Sequence, residues 1–114
     1  MVKIVKLKQN SDFRRAYYRS KPSVDPALVT YVTKNRAGIC RVGITATKKI
    51  GNAVTRNRAR RVITAAYRSL AHEVVPGGYD IVFVARTKTA DMKSTAVAGV
   101  MKKHLKKSGL IPND

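Results

Sequence analysis

The chain has 114 residues, 44% of them hydrophobic, which suits one domain with a single core on a prior of roughly 100–200 residues per domain. Twenty-four Lys and Arg against six Asp and Glu leave a formal charge of +18, so the expected partner is a polyanion, nucleic acid ahead of an anionic membrane surface. The apolar runs fall far short of the ~18 residues of a spanning helix, lysines interrupt the N-terminal MVKIVKLKQN where a signal peptide would be continuous, and the single Cys40 excludes an internal disulfide, a CxxC pair and a cysteine-based zinc site.

No linker, repeat or low-complexity tract divides the chain, and residues 1–114 read as one soluble domain of a reducing compartment. Asn10 or Ser11 can cap a first helix running to about Arg19, with Phe13, Ala16 and Tyr17 at helical spacing. Pro22 and Pro26 bar its continuation. Ala27 to Lys34 alternates and is rich in β-branched and aromatic residues, so a strand is predicted, with Leu28 and Val32 on one face and Val29 and Tyr31 on the other. Asn35 to Gly38 suits a hairpin turn. Cys40 to Thr47 alternates cleanly as a second strand, with Cys40, Val42, Ile44 and Ala46 facing the core.

A longer helix is predicted from about Ala53 to about Glu73, with a buried stripe of Ala59, Val62, Ile63, Ala66 and Leu70 beside Tyr67, stopped by Pro76-Gly77-Gly78. Tyr79 to Ala85 is apolar on both alternations beyond Asp80, the mark of a central strand covered on two sides. Ser94 to Lys107 is a third helix, apolar at Val97, Val100, Met101 and Leu105, with Lys102, Lys103, Lys106 and Lys107 on its other face.

The six acids are Asp12, Asp25, Glu73, Asp80, Asp91 and Asp114. None lies between Pro26 and His72, a span of 47 residues holding ten Lys or Arg. Mixed-sign runs are ordinary solvated surface, but a stretch without any acid cannot form compensating i,i+4 pairs, and nucleic-acid contact is the better reading. The densest part is KKIGNAVTRNRARR, residues 48–61, in which six of fourteen residues are basic. On a helix, Arg56, Asn57, Arg60, Arg61, Thr64 and Arg68 share one broad side opposite Ala59, Ile63, Ala66 and Leu70. A guanidinium fork holds two phosphate oxygens or stacks on a base, which an ammonium cannot do. Gly51 permits a sharp entry to the helix, whose N-terminal dipole favours anions.

This run resembles the signature of the bacterial ribonuclease P protein family, the pattern K-x-G-x-A-V-x-R-N-R. Leu7-Lys8, Asp12-Phe13, Tyr17, Val42-Gly43, Thr45, Tyr79-Asp80, Ile81-Val82 and Ala85-Arg86 agree in order along nearly the whole chain. It departs at Thr64-Ala65, where the family commonly has a basic residue followed by an acidic or amide one. The resemblance implies an α+β sandwich of the ribosomal protein S5 domain 2-like kind: a four-stranded sheet, three helices and a left-handed β-α-β crossover. Physical rules alone favour the right-handed default. The fourth strand is expected around Ser20 to Val24.

The resemblance also implies a function. A cytoplasmic protein subunit would assist a catalytic RNA in cutting the 5′ leader from precursor tRNA, one protein per catalytic RNA. The residues expected to bind the catalytic RNA are Lys48, Lys49, Arg56, Asn57, Arg58, Arg60, Arg61 and Arg68. Those matching the leader site are Phe13, Tyr17, Val29 and Tyr31, with Tyr18 an alternative to Tyr17 if the helix is rotated. Unstacked bases need such flat apolar surfaces. By helical spacing alone, Phe13 and Tyr17 read equally well as core.

An independent nuclease would need clustered carboxylates for Mg²⁺ or a paired general acid and base. The acids are scattered, His72 and His104 read as surface or packing residues, and Cys40 reads as a small buried hydrophobe. No residue is therefore expected to be catalytic and none to hold a metal or cofactor, with Mg²⁺ expected only in the RNA–protein holoenzyme. A basic ribosomal or other structural RNA-binding protein, or a DNA-binding module, is compatible with composition and separated only by the signature run.

Overall fold

A computed structural model describes residues 4–113, so Met1 to Lys3 and Asp114 of the expected domain lie outside the described residues. The elements are strand β1 (Val5–Lys6), helix α1 (Asn10–Arg19), strands β2 (Ser23–Asp25), β3 (Leu28–Lys34) and β4 (Arg41–Thr45), helix α2 (Ala53–Leu70), strand β5 (Tyr79–Ala85) and helix α3 (Ser94–Lys107). Short 3₁₀ turns occupy Lys48–Ile50, Ala71–Glu73 and Thr89–Asp91. The sheet has five strands in the order β1-β4-β5-β3-β2, one more than expected. The additional strand, β1, is two residues long and pairs parallel to β4 through Val5↔Arg41 and Lys6↔Val42. Two residues are too few to show an alternation, which is why the N-terminal segment carries no strand signal.

Both β3 and β4 pair with β5, the first antiparallel and the second parallel. Asn35 to Gly38 is therefore not a hairpin turn. It carries the chain past the start of β5, where the Asn35 amide donates to the Gly78 carbonyl at 3.0 Å. The double-sided apolar pattern of Tyr79 to Ala85 is accounted for by its central position, and β4–α2–β5 forms the β-α-β unit.

Register divides the sheet residues cleanly. Val42 and Ile44 of β4, Ile81 and Phe83 of β5, and Leu28, Thr30 and Val32 of β3 point to one face. Apart from Thr30, they join Ala59, Ile63, Ala66, Val97, Met101 and Leu105 of α2 and α3 in the main core. The opposite face presents Gly43, Val82 and Tyr31 in one row and Thr45, Val84, Val29 and Val24 in the next. Helix α1 packs there, building a smaller core of Leu7, Ala16 and Val82 with Phe13, Tyr31 and Val84 against it.

Some boundaries differ from expectation. Strand β4 stops at Thr45 and α2 at Leu70, with the turn Ala71–Glu73 continuing as 3₁₀. Helix α1 is capped by neither Asn10 nor Ser11: Gln9 holds the cap position without a side-chain bond, and its carbonyl accepts from the Asp12 and Phe13 amides. Cys40 is half-buried, its thiol 3.6 Å from the Tyr67 hydroxyl, and burial pushes the thiol pKa up.

Two polar arrangements hold the faces in place. Asp80 is fully buried; Arg41 donates to its two carboxylate oxygens at 2.8 and 2.9 Å, and the Asn35 amide donates at 2.8 Å. The same guanidinium lies 3.6 Å from Asp12 of α1, tying that helix to the sheet. On the other face, His104 of α3 is buried with Nδ1 2.8 Å from the Thr30 hydroxyl.

Replacing Arg41 by Ala leaves Asp80 buried without its countercharge and should cost about 3–5 kcal/mol, read as a lower urea midpoint. Desolvation lowers the His104 pKa, opposed by Asp25 and reinforced by Lys107. The unfolded chain therefore binds this proton more readily, and its contribution is complete above about pH 6.5 and lost as pH falls from there toward the lower folded value. Replacing His104 by Gln should remove that part of the acid sensitivity in urea titrations across this range.

Candidate nucleic-acid interface

The basic motif follows directly from β4. After Thr45 the chain makes the 3₁₀ turn Lys48–Ile50, burying Ile50 and leaving Lys48 and Lys49 exposed. Gly51 then adopts φ 144°, where a side chain is strained and a Cβ would lie 3.2 Å from Thr55. Asn52 caps α2, its side-chain oxygen accepting from the Thr55 amide and hydroxyl, both at 3.0 Å. The turn, the glycine and the cap together set the direction in which the arginines leave the sheet.

Along α2, Ala59, Ile63, Ala66, Tyr67 and Leu70 are buried, while Asn57, Arg58, Arg60, Arg61 and Arg68 are exposed and Arg56 is half-buried. Arg56 donates to the Gly51 carbonyl at 3.0 Å, and Arg60 to the Asn57 side-chain oxygen at 3.3 Å. These bonds orient two guanidinium groups without neutralising them. Among the described residues, none of Lys48, Lys49, Arg56, Arg58, Arg60, Arg61 and Arg68 forms an ion pair; the pairs formed are Arg15–Asp12, Arg41–Asp12, Arg41–Asp80 and Lys102–Glu73. The arginines do not all share one side. Arg60 and Arg68 border the β4 edge, whereas Arg58 and Arg61 flank a shallow hollow toward Lys93 and Ser94 at the start of α3. Thr64, at the position of departure from the family pattern, donates its hydroxyl to the Arg60 carbonyl at 2.8 Å.

The four aromatic and aliphatic candidates gather on the opposite face of the sheet. The Phe13 ring sits directly against Gly43: a Cβ there would come within 2.6 Å of it, so only glycine allows this approach. Tyr17 and Tyr31 meet edge to face with centroids 5.0 Å apart, and the Tyr17 hydroxyl hydrogen-bonds that of Thr45 at 2.7 Å. Phe13, Val29 and Tyr31 are half-buried and Tyr17 is 37% exposed, so neither a sealed core nor a loose surface describes them. Tyr18 points away and is 87% exposed, which settles the rotation of α1 in favour of Tyr17 on the sheet.

Sequence reasoning missed Val84, Thr45 and Val24, which extend the strip beside Val29. Val24 is 62% exposed. The double-sided apolarity of β5 was a signal for Val84, but only register puts it next to Val29. His72 is exposed in the turn after α2, whereas His104 is buried on α3 against Thr30. Among the described residues no three His, Cys, Asp or Glu side chains cluster as metal ligands, and no helix is long and apolar enough to cross a membrane.

Comparison with known proteins places these features in context. Residues 1–109 match the family model for ribonuclease P. The ribonuclease P protein component of Clostridioides difficile is 48% identical over 85 residues, covering 75% of each chain. That of Clostridium botulinum is 38% identical over 105 residues, covering 92% of this chain and 95% of the relative. The Staphylococcus aureus RNase P protein structure superposes with a TM-score of 0.80 at 28% identity, covering 96% of this chain and 99% of that one. The Thermotoga maritima RNase P protein gives 0.76 at 25% identity, covering 90% and 96%. With the signature run, the sheet and its three helices all matched, the chain belongs to the ribonuclease P protein family.

Proposed function

We propose that the protein is the RNA-binding subunit of a ribonucleoprotein endoribonuclease that removes the 5′ leader of precursor tRNA, with the reacting centre in the RNA subunit. One observation carries the reading. An acid-free arginine helix and an incompletely covered aromatic strip stand on opposite faces of one sheet, joined by β4. The first suits the phosphates of a folded RNA and the second suits unstacked bases of a single strand. Lys48, Lys49, Arg56, Asn57, Arg58, Arg60, Arg61 and Arg68 hold the catalytic RNA. Phe13, Tyr17, Val29 and Tyr31, extended by Val84, receive the leader.

The protein's own groups do binding rather than bond breaking. Asp12 and Asp80 are engaged by Arg41, and Glu73 by Lys102, which holds the Glu73 pKa below its ordinary value. Carboxylates committed in this way make a poor Mg²⁺ site. Mg²⁺ in the holoenzyme is held by RNA, and the protein's positive charge relieves part of the phosphate repulsion that the metal otherwise screens. The complex works in the cytoplasm with one protein per RNA.

Replacing Arg60 or Arg61 by Ala should weaken binding to the transcribed ribonuclease P RNA and reduce the salt slope by about 0.7–0.9 for each lost phosphate contact. An unchanged slope across the arginine series would move the RNA surface to the lysine face of α3. Replacing Tyr31 by Ala, in holoenzyme made with protein shown to be folded, should weaken precursor tRNA binding by about 1–3 kcal/mol while sparing mature tRNA. Equal losses for both substrates would make Tyr31 structural.

A further inference from the structure

Helix α1 covers only one end of its sheet face, and the outer edge of the sheet beside it is also open. Strand β1 pairs with Arg41 and Val42 and then ends, so among the described residues Gly43 to Thr45 have no strand partner on that side. A groove of about 1070 Å³ occupies this edge and runs between β4 and α2. Its apolar surface includes half-buried Ile44 and the Phe13 ring at the α1 end, with buried Tyr67 beneath. Lys6 stands on the β1 side and Arg60, Arg68 and His72 on the α2 side; among the described residues no carboxylate lines it.

The volume reaches the top of the ~300–1,000 Å³ range of small-ligand sites. An apolar floor between cationic rims suits a chain that carries phosphates outside and flat apolar groups inside. A duplex hides its base faces in the stack and would leave the floor uncovered. A single strand can satisfy floor and rims together. Phe13 belongs to both the groove and the small core beneath Tyr31. Phe13 thus links the aromatic strip to the groove.

We infer that this groove takes leader nucleotides beyond those on the Tyr17–Tyr31 strip, an inference that rests on the proposed leader-binding role. Bases lie on Ile44 and the edge of Phe13, above the buried Tyr67, and phosphates meet Lys6 and a His72 N–H. Lys6 and His72 are new to the RNA surface and are exposed, so their removal does not disturb the core.

The test uses holoenzyme reconstituted with the transcribed ribonuclease P RNA and precursor tRNAs whose leaders are lengthened nucleotide by nucleotide. Lys6→Ala and His72→Ala should each reduce the affinity gained on lengthening. Thr64→Trp, which fills the groove from α2, should remove roughly fivefold to a hundredfold of it, the scale of one lost base stack. Short-leader precursor and mature tRNA should bind all three variants as they bind the parent. Equal losses for every substrate, or a full length-dependent gain in all three variants, would overturn the inference. Tyr31→Ala measured in parallel separates the two levels. If it discriminates precursor from mature tRNA while the groove variants do nothing, only the groove assignment fails; if neither discriminates, the leader-binding reading fails with it.

Discussion

Strand β5 is apolar on both faces, and three helices must cover a sheet of five strands. Helices α2 and α3 share one face and bury Ile81 and Phe83 fully. Helix α1, ten residues long, has the other face to itself. It spans ~15 Å at 1.5 Å per residue, enough to bury Ala16 over Val82 but not the row running through Val84 and Val29 to Val24. The uncovered strip follows from this shortage of helix. Lengthening α1 would improve burial, but Pro22 and the return of the chain into β2 prevent it.

The position of α1 is then set by few contacts, and Arg41 is chief among them. It reaches Asp80 within the sheet and Asp12 on the helix, and the Asp80 hydrogen bond holds its proton more firmly than usual. Close to that contact, Gly43 lets Phe13 settle directly on the strand. Charge pairing and ring packing thus fix the start of α1, leaving Tyr17 at its far end to meet Tyr31 and Thr45. Thr45 lies three residues before Lys48, so the same strand that supports the aromatic strip also launches the basic turn. The two surfaces are consequently held at a fixed separation by β4.

Long periodic elements were legible in the sequence. The buried stripe of α2, the bounds of β5 and α3, and the facing of Leu28 against Tyr31 each repeat over enough residues to outweigh chance. Strand β1 was not, because its two residues pair with Arg41 and Val42, far along the chain. Asn35 to Gly38 has the chemistry of a hairpin, and local chemistry cannot reveal that a strand encoded forty residues later is inserted between β3 and β4. The basic surface was readable from composition and the signature run. The aromatic strip was not separable from core by spacing: its assignment came from family resemblance, and Val84 and Thr45 joined it only through register.

The unpaired edge from Gly43 to Thr45 has a consequence for colloidal behaviour. Exposed strand edges invite pairing with a second copy, and natural sheets commonly guard them with lysine. Here the guard is collective: Lys6 and the α2 arginines surround the edge, and every approaching copy brings a formal charge of +18. Repulsion keeps the copies apart only while that charge is unneutralised. A bound polyanion removes the repulsion while covering the edge, whereas a small excess of short polyanion removes it without cover. Solubility and recognition therefore draw on the same cations, and the stoichiometry of RNA to protein decides whether neutralisation ends in a defined complex or in precipitation.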